Sequence, residues 1–249
     1  MTYLINIFYR IRYYFIKESS PSATKSGLIP TLSHDFKDGI SWDMFDKWFS
    51  MNAFKDYSAQ PKLNCIVGEK DGVLLLDRRN SDPNAEKKFE SGYLYTANKF
   101  KQTYGLFELI CKVPEGGLTH WAAFWLYGKK APPEIDIFET MSSKEVGKDY
   151  TKRFSTTTHI GESYENRKQY GHELVGRQDL SKEFHKYSLL WTPQKLVWMI
   201  DDIPVRLQTK NIPQTPMSIM LSLGSGISPE KFGRQTGVFE LKQLNVYSI

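Results

Sequence analysis

Short runs of alternating residues, separated by turn signals, recur along residues 33–249 of this chain. Such alternation places successive side chains on opposite faces of a β-strand. No amphipathic helix of three or more turns is visible in the same range. Many short strands at this spacing predict an all-β fold, a two-sheet sandwich. The predicted strands cover residues 73–76, 91–96, 106–113, 121–127, 134–139, 154–160, 187–191, 196–200, 205–208, 217–223 and 238–247.

The length of 249 residues suits one large all-β domain better than two small ones. Residues 19–32 are rich in Ser, Pro and Thr and are interpreted as a linker or irregular arm. We therefore divide the chain into an N-terminal aromatic and basic segment with its linker, residues 1–32, and a main domain, residues 33–249. Aromatic residues make up 14% of the chain, which is typical either of a β-rich core or of a groove that binds sugars.

The charge balance excludes few functions. The formal net charge is +5, without a long basic run or a nucleic-acid-binding motif, so no nucleic-acid partner is expected. A mildly anionic polymer as ligand and simple solubility explain the excess equally well. Cys65 and Cys111 show neither a metal-binding spacing nor a disulfide framework, and the alternation around Cys111 predicts a buried thiol. No stable protein partner is implied.

The N-terminal residues 1–17 are apolar and aromatic but contain Arg10, Arg12 and Lys17. They lack a basic start and a clean cleavage site, so they make a poor signal peptide. They are also too short and too charged to span a bilayer. Three interpretations stay open: association with a membrane surface, docking against the main domain, or a mis-assigned start that obscures an export signal.

One predicted strand contains three acidic residues that are candidates for catalysis. It is the run Glu134-Ile135-Asp136-Ile137-Phe138-Glu139. In a strand, Glu134 and Asp136 share one face and the isoleucines lie on the other. Glu139 would fall on the isoleucine face of a regular strand. A β-bulge near Ile137-Phe138 would return Glu139 to the face of the other two acids.

Three acids on one face of an apolar strand repel one another, which favours a functional role. Cleavage of a glycosidic bond with retention of configuration needs two carboxyl groups about 5–5.5 Å apart. This distance is near the spacing of neighbouring residues on one face of a strand. The third acid can hydrogen-bond to the nucleophile and help to keep a proton on the acid. Two alternatives stay open: an edge strand with its acids in water, and a calcium site, although Ile and Phe between the acids are unusual for calcium loops.

These six residues resemble the catalytic strand of glycoside hydrolase family 16, in its bulged, laminarinase-like ExDxxE form. Further segments are similar to the family's motifs in the same order along residues 33–249. They are His34-Asp35-Phe36-Lys37-Asp38 with Trp48, Asp71-Gly72-Val73-Leu74, Ser91-Gly92-Tyr93, Tyr104-Gly105-Leu106-Phe107-Glu108, Trp121-Ala122-Ala123-Phe124-Trp125-Leu126, Phe184-His185-Lys186-Tyr187, Leu190-Trp191-Thr192-Pro193 and Val197-Trp198-Met199-Ile200-Asp201.

The resemblance implies a concanavalin-like β-jelly-roll sandwich with an open substrate cleft on its concave sheet. It implies that Glu134 is the nucleophile, Asp136 its assisting acid and Glu139 the general acid/base. Trp121 and Trp125 correspond to residues that stack on sugar rings, and His159 to a histidine that faces the cleft. Without the resemblance, His159 would more often be a core histidine with its hydrogen bonds satisfied.

The function implied is that of a retaining, endo-acting glycoside hydrolase that cleaves internal β-linkages of a polysaccharide and needs no cofactor. A structural calcium ion is not indicated, and the substrate class favours a location outside the cytoplasm. A transglycosylase and a non-catalytic carbohydrate-binding sandwich are the alternatives. Departures from the family pattern, among them Ala122 and Leu223-Gly224-Ser225-Gly226, leave the sugar open; a β-glucan, a galactan or a bacterial exopolysaccharide would fit.

Overall fold

The computed structural model describes residues 27–41, 43–45, 67–70, 73–78, 92–115, 120–128, 132–140, 150–175, 178–224 and 237–249. The predictions for residues 1–26 and for Cys65 lie outside this part of the chain. Within it, the regular structure consists of fourteen β-strands and two short 3-10 helices, Phe36–Asp38 and Tyr150–Lys152. None of the helices in the described ranges is long and apolar enough to cross a membrane.

The strands form two antiparallel sheets. The strand bounds are β1 Ile29–Asp35, β2 Val67–Lys70, β3 Val73–Arg78, β4 Gly92–Tyr95, β5 Gly105–Lys112, β6 Trp121–Tyr127, β7 Glu134–Glu139, β8 Arg153–Ile160, β9 Lys168–Val175, β10 His185–Trp191, β11 Leu196–Ile200, β12 Ile203–Gln208, β13 Ser218–Gly224 and β14 Gly237–Ser248. The eight-stranded sheet has the order β12-β11-β10-β5-β14-β3-β2, and β1 also pairs with β14. The six-stranded sheet has the order β4-β13-β6-β7-β8-β9.

The core lies between the two sheets. Alternate residues of β5, including Phe107 and Leu109, face it from one sheet, and alternate residues of β6, including Phe124, face it from the other. The rings of Phe138 in β7 and Tyr187 in β10 meet across the core with centroids 4.1 Å apart. Each fully buried side chain of this kind stabilises the fold by about 1.5–3 kcal/mol. The all-β, two-sheet sandwich predicted from the alternation is thus confirmed.

Cys111 belongs to the same core, and its thiol is fully buried, as its position in the alternation predicts. Burial raises the pKa of this thiol well above its usual value. A thiol that stays protonated and inaccessible is unreactive, so Cys111 acts as a small apolar core residue.

Three strands were not predicted. The first, β1, begins at Ile29, so residues 29–32 pair with β14 rather than forming a linker. Its first residues are exposed, which is why they show no core pattern. The edge strand β9 also has mostly exposed side chains and pairs only with β8. The third is β2, which pairs with β3.

Candidate active site

A β-bulge in the middle of β7 sets the geometry of the acids. Two consecutive residues of β6 pair with Asp136 and Phe138, which leaves Ile137 as the extra residue. On the other side, the partners of Asp136 and Glu139 in β8 are two positions apart, whereas the acids are three apart. The bulge predicted near Ile137-Phe138 is therefore present. It brings Glu139 to the face of the sheet that points away from the core.

This outer face of the six-stranded sheet divides into an aromatic half and a polar half. The strands β4 and β6 contribute the aromatic side chains of the first half, with β13 between them. The strands β7, β8 and β9 form the polar half, so the acids of β7 lie at the boundary. One row of neighbours across the sheet illustrates the order: Tyr95, Met220, Trp125, Asp136, Thr157 and Gly171.

The three acids form one hydrogen-bonded group. Asp136 lies in the middle and makes side-chain hydrogen bonds with both Glu134 and Glu139. Asp136 is 1% exposed and Glu134 is 9% exposed, whereas Glu139 is partly buried. Carboxyl groups this close and this dry cannot all ionise near neutral pH, so the group retains at least one proton.

Burial is the main cause of the raised pKa values. It raises the pKa of Glu134 and of Asp136 well above the usual values. The charge of Asp136 adds to the effect on Glu134, and the charge of Glu139 adds to the effect on Asp136. Buried acids with a specific charged partner are the pattern typical of functional sites.

Glu139 differs because a tryptophan stabilises its charged form. Burial raises the pKa of Glu139, but a hydrogen bond from Trp121 acts in the opposite direction. The donor is the indole Nε1 of Trp121, 2.8 Å from Oε1 of Glu139. Trp121, predicted to stack on sugar, is therefore also a direct partner of an acid.

His159 lies against the acids rather than within the core. Its Nε2 is 3.1 Å from Oδ2 of Asp136 and 3.5 Å from Oε1 of Glu134. Its Nδ1 is buried and has no hydrogen-bond partner among the described residues. Nε2 is therefore the ring nitrogen that faces the acids. In this position His159 lowers the pKa of Glu134 and of Glu139.

Trp125 is more enclosed than a stacking platform requires. It is only 5% exposed, and its Nε1 donates to Oγ of Ser222 at 3.1 Å. Its ring packs against Tyr127, with centroids 5.5 Å apart. Partly buried aromatic residues around Trp125 present more ring surface; they are Tyr93, Tyr95, Trp121 and Tyr127.

Two further pairs near the acids were not assigned a role from the sequence. In the β8–β9 loop, the guanidinium of Arg167 lies 4.1 Å from the ring centroid of Tyr164. Burial, aided by the charge of Glu134, raises the pKa of Tyr164 to about 12. In the eight-stranded sheet, Arg206 of β12 stacks on Trp198, its pairing partner in β11. Loop residues follow no periodicity, and the register between β11 and β12 shifts at Trp198, so neither pair was predicted.

Among the residues that the structure describes, one set of ligand atoms lies close enough together to hold a metal ion. Glu134, Asp136 and His159 each offer one ligand atom, and these atoms lie within 4.8 Å of one another. Two carboxylates and an imidazole suit a divalent transition metal better than calcium, which prefers oxygen ligands only. In this group, Nε2 of His159 already lies 3.1 Å from Oδ2 of Asp136.

The chain belongs to glycosyl hydrolases family 16, whose model matches residues 62–238. It is 30% identical over 164 residues to the endo-1,3-1,4-beta-glycanase EglC of Rhizobium meliloti, covering 63% of this chain and 33% of the relative. It is also 30% identical over 182 residues to a beta-glucanase of Brevibacillus brevis, covering 72% of this chain and 64% of the relative.

The fold is similar to that of solved structures. The laminarinase catalytic domain from Thermotoga maritima superposes with a TM-score of 0.73 at 20% identity, covering 89% of this chain and 98% of that chain. This likeness identifies the sandwich as a jelly roll of the same kind. The chain spans about a third of the length of EglC.

Proposed function

We propose that this chain is an endo-acting glycoside hydrolase that cleaves internal β-linkages of a polysaccharide with retention of configuration. The observation that carries the proposal is the bulged strand β7, which gathers Glu134, Asp136 and Glu139 into one buried, hydrogen-bonded group. Retaining cleavage needs two carboxyl groups on one side of the sugar, one as nucleophile and one as acid. The names of the two curated relatives, a glycanase and a glucanase, support the same reaction.

In the first step, Glu134 attacks the anomeric carbon while Glu139 gives its proton to the leaving oxygen, and the glycosidic bond breaks. In the second step, Glu139 removes a proton from water, whose oxygen attacks the anomeric carbon and releases Glu134. Asp136 hydrogen-bonds to both glutamates, so it can hold the shared proton between the steps. No cofactor takes part in this scheme.

The partners of the acids suit these roles. Burial and the charge of Asp136 raise the pKa of Glu134, and His159 acts in the opposite direction, towards the charged form that a nucleophile requires. Burial favours the protonated form of Glu139, which a general acid requires. The aromatic half of the outer face lies beside the acids and offers ring surfaces for stacking against sugars. We propose that the substrate chain lies along this face, in an open cleft.

The first substrates to test are β-glucans with mixed 1,3 and 1,4 linkages, because EglC is named as an endo-1,3-1,4-beta-glycanase. Laminarin, a galactan and a bacterial exopolysaccharide complete the panel, since the segments that depart from the family pattern leave the sugar open. The measurement is the release of oligosaccharides of intermediate length, which indicates cleavage within the chain rather than from its ends.

Glu134→Ala and Glu139→Ala are the matched variants. Each should lower kcat on the order of 10⁴-fold, because each removes a group that reacts directly. Azide should restore turnover of Glu134→Ala and give a glycosyl azide of inverted configuration, since the small anion replaces the missing nucleophile. Near-normal turnover by either folded variant would disprove the assignment of that residue.

The size of the products separates hydrolysis from transglycosylation. If a second sugar intercepts the glycosyl-enzyme intermediate, products longer than the starting oligosaccharide accumulate at high oligosaccharide concentration. If water intercepts the intermediate, every product is shorter than the starting oligosaccharide. A wild-type chain that binds polysaccharide but releases no product from any member of the panel would instead favour the carbohydrate-binding alternative.

A further inference from the structure

We propose that Trp198 is a positioning residue of the active site, which holds the bulge of β7 from inside the sandwich. Its effect on turnover rests on the proposed function, whereas its effect on the bulge itself can be observed without any catalysis. Trp198 touches no reacting atom. It acts through the backbone of Asp136.

The contact joins the two sheets. Trp198 lies in β11 of the eight-stranded sheet, and its ring crosses the core to reach β7 of the six-stranded sheet. Its Nε1 donates a buried hydrogen bond of 3.0 Å to the backbone carbonyl oxygen of Asp136. Both residues are 1% exposed, so water does not compete for either group.

The carbonyl that accepts this bond lies at the point where β7 leaves its regular pairing. The next residue, Ile137, is the extra residue of the bulge. A bulge interrupts the ladder of backbone hydrogen bonds, and a buried carbonyl without a partner is costly. The indole therefore stabilises the bulged form of the strand. A regular strand would turn Glu139 towards the core, so the bulged form is the one in which the acids meet.

Arg206 in β12 holds the indole in place. Its guanidinium carbon lies 4.1 Å from the centroid of the Trp198 ring. Its Nη1 donates to the carbonyl of Thr156 at 2.6 Å, and its Nη2 donates to the carbonyl of Tyr170 at 2.8 Å. These bonds tie β12 to β8, which pairs with β7, and to β9 on the far side of β8. The ring of Trp198 is thus clamped against the sheet that carries the acids.

The chain contains a matched control for this contact. Trp191 is also buried, in the neighbouring strand β10, and its Nε1 donates to the carbonyl oxygen of Pro213 at 3.0 Å. The ring packs against Tyr104 and Phe107. Trp191→Phe and Trp198→Phe therefore remove the same kind of buried bond, one away from β7 and one at the bulge.

The experiment compares kcat, KM and Tm of the two variants on the best substrate of the panel. The two variants should show a similar decrease in Tm. Only Trp198→Phe should lower kcat, by about tenfold to a hundredfold, because a small displacement of reacting groups costs that much. Its KM should stay within about twofold, since no residue of the outer face is changed. Equal kcat values for the folded variants would overturn the proposal.

Arg206→Lys tests the same proposal if Trp198→Phe does not fold. Lysine keeps the positive charge but loses the planar, forked contacts. We expect a lower kcat with KM retained, and an unchanged kcat would overturn the clamp. If the wild-type chain shows no activity, the proposed function fails instead. A crystal structure of Trp198→Phe or Arg206→Lys then decides, since a bulge unchanged from wild type contradicts the positioning role.

Discussion

The indole N–H of Trp121 donates a hydrogen bond of 2.8 Å to Oε1 of Glu139. The bond stabilises the charged carboxylate and so lowers a pKa that burial raises. Trp121 thereby tunes the proposed general acid, in addition to presenting a ring to the substrate. The pH range of activity depends on this balance, because Glu139 must be protonated at the start of each turnover.

Trp121→Phe removes the donor and keeps an aromatic ring. The pKa of Glu139 should rise, so Glu139 keeps its proton to higher pH, and the alkaline limb of the kcat/KM profile should move to higher pH. The acidic limb, which reports the ionisation of Glu134, should stay in place. Trp125→Phe is the control, because its indole bonds to Ser222 and not to an acid. Movement of the alkaline limb in both variants would contradict the assignment.

His159 should affect both limbs. It lowers the pKa of Glu134 and of Glu139. His159→Ala should therefore raise both pKa values. Glu134 then keeps its proton up to a higher pH than in the wild type, and Glu139 also loses its proton at a higher pH. Both limbs of the profile of kcat/KM against pH should move to higher pH. His185→Ala is the matched control, because that imidazole bonds a carboxylate, Asp201 at 2.7 Å, in the other sheet. A profile identical to that of His185→Ala would disprove the effect.

The parts of the site that follow from strand alternation were predictable, and the parts that depend on contacts between strands were not. The period-two pattern placed Glu134 and Asp136 on one face, and the odd position of Glu139 required the bulge that the structure contains. Nothing local indicates that Trp198 lies opposite Asp136, because sequence does not specify the register between two facing sheets. The polar edge strand β9 was missed because it buries little side-chain surface.

Buried acids should make the fold less stable as the pH rises. The pKa of Glu134 is well above its usual value in the folded chain, mainly because of burial. Between an unfolded pKa of about 4.3 and the raised folded pKa, the folded state binds more protons, so the free energy of unfolding falls with increasing pH. The stability is therefore not reduced by Glu134 below the unfolded pKa, and this contribution is lost as the pH rises through the folded pKa.

Glu134→Gln removes this titration. Its Tm should exceed that of wild type at about pH 8, and the difference should vanish towards about pH 4, where the wild-type acid is protonated in both states. For a domain of this size, each kcal/mol shifts Tm by about 2–4 °C. Glu165→Gln is the control. A hydrogen bond from Ser163 lowers the pKa of that exposed acid, so its removal should not raise Tm. A Tm of Glu134→Gln below wild type at about pH 8 would contradict the prediction.

Metal removal should leave activity unchanged. The ligand atoms of Glu134, Asp136 and His159 that could hold an ion are, in our proposal, the nucleophile, its neighbour and their imidazole partner. An ion bound there would occupy the nucleophile, so it should inhibit. Treatment with EDTA should therefore alter neither kcat nor Tm, whereas added Zn²⁺ should inhibit and EDTA should reverse the inhibition. Loss of kcat on EDTA treatment, restored by one added metal, would show instead that this cluster is a metal centre.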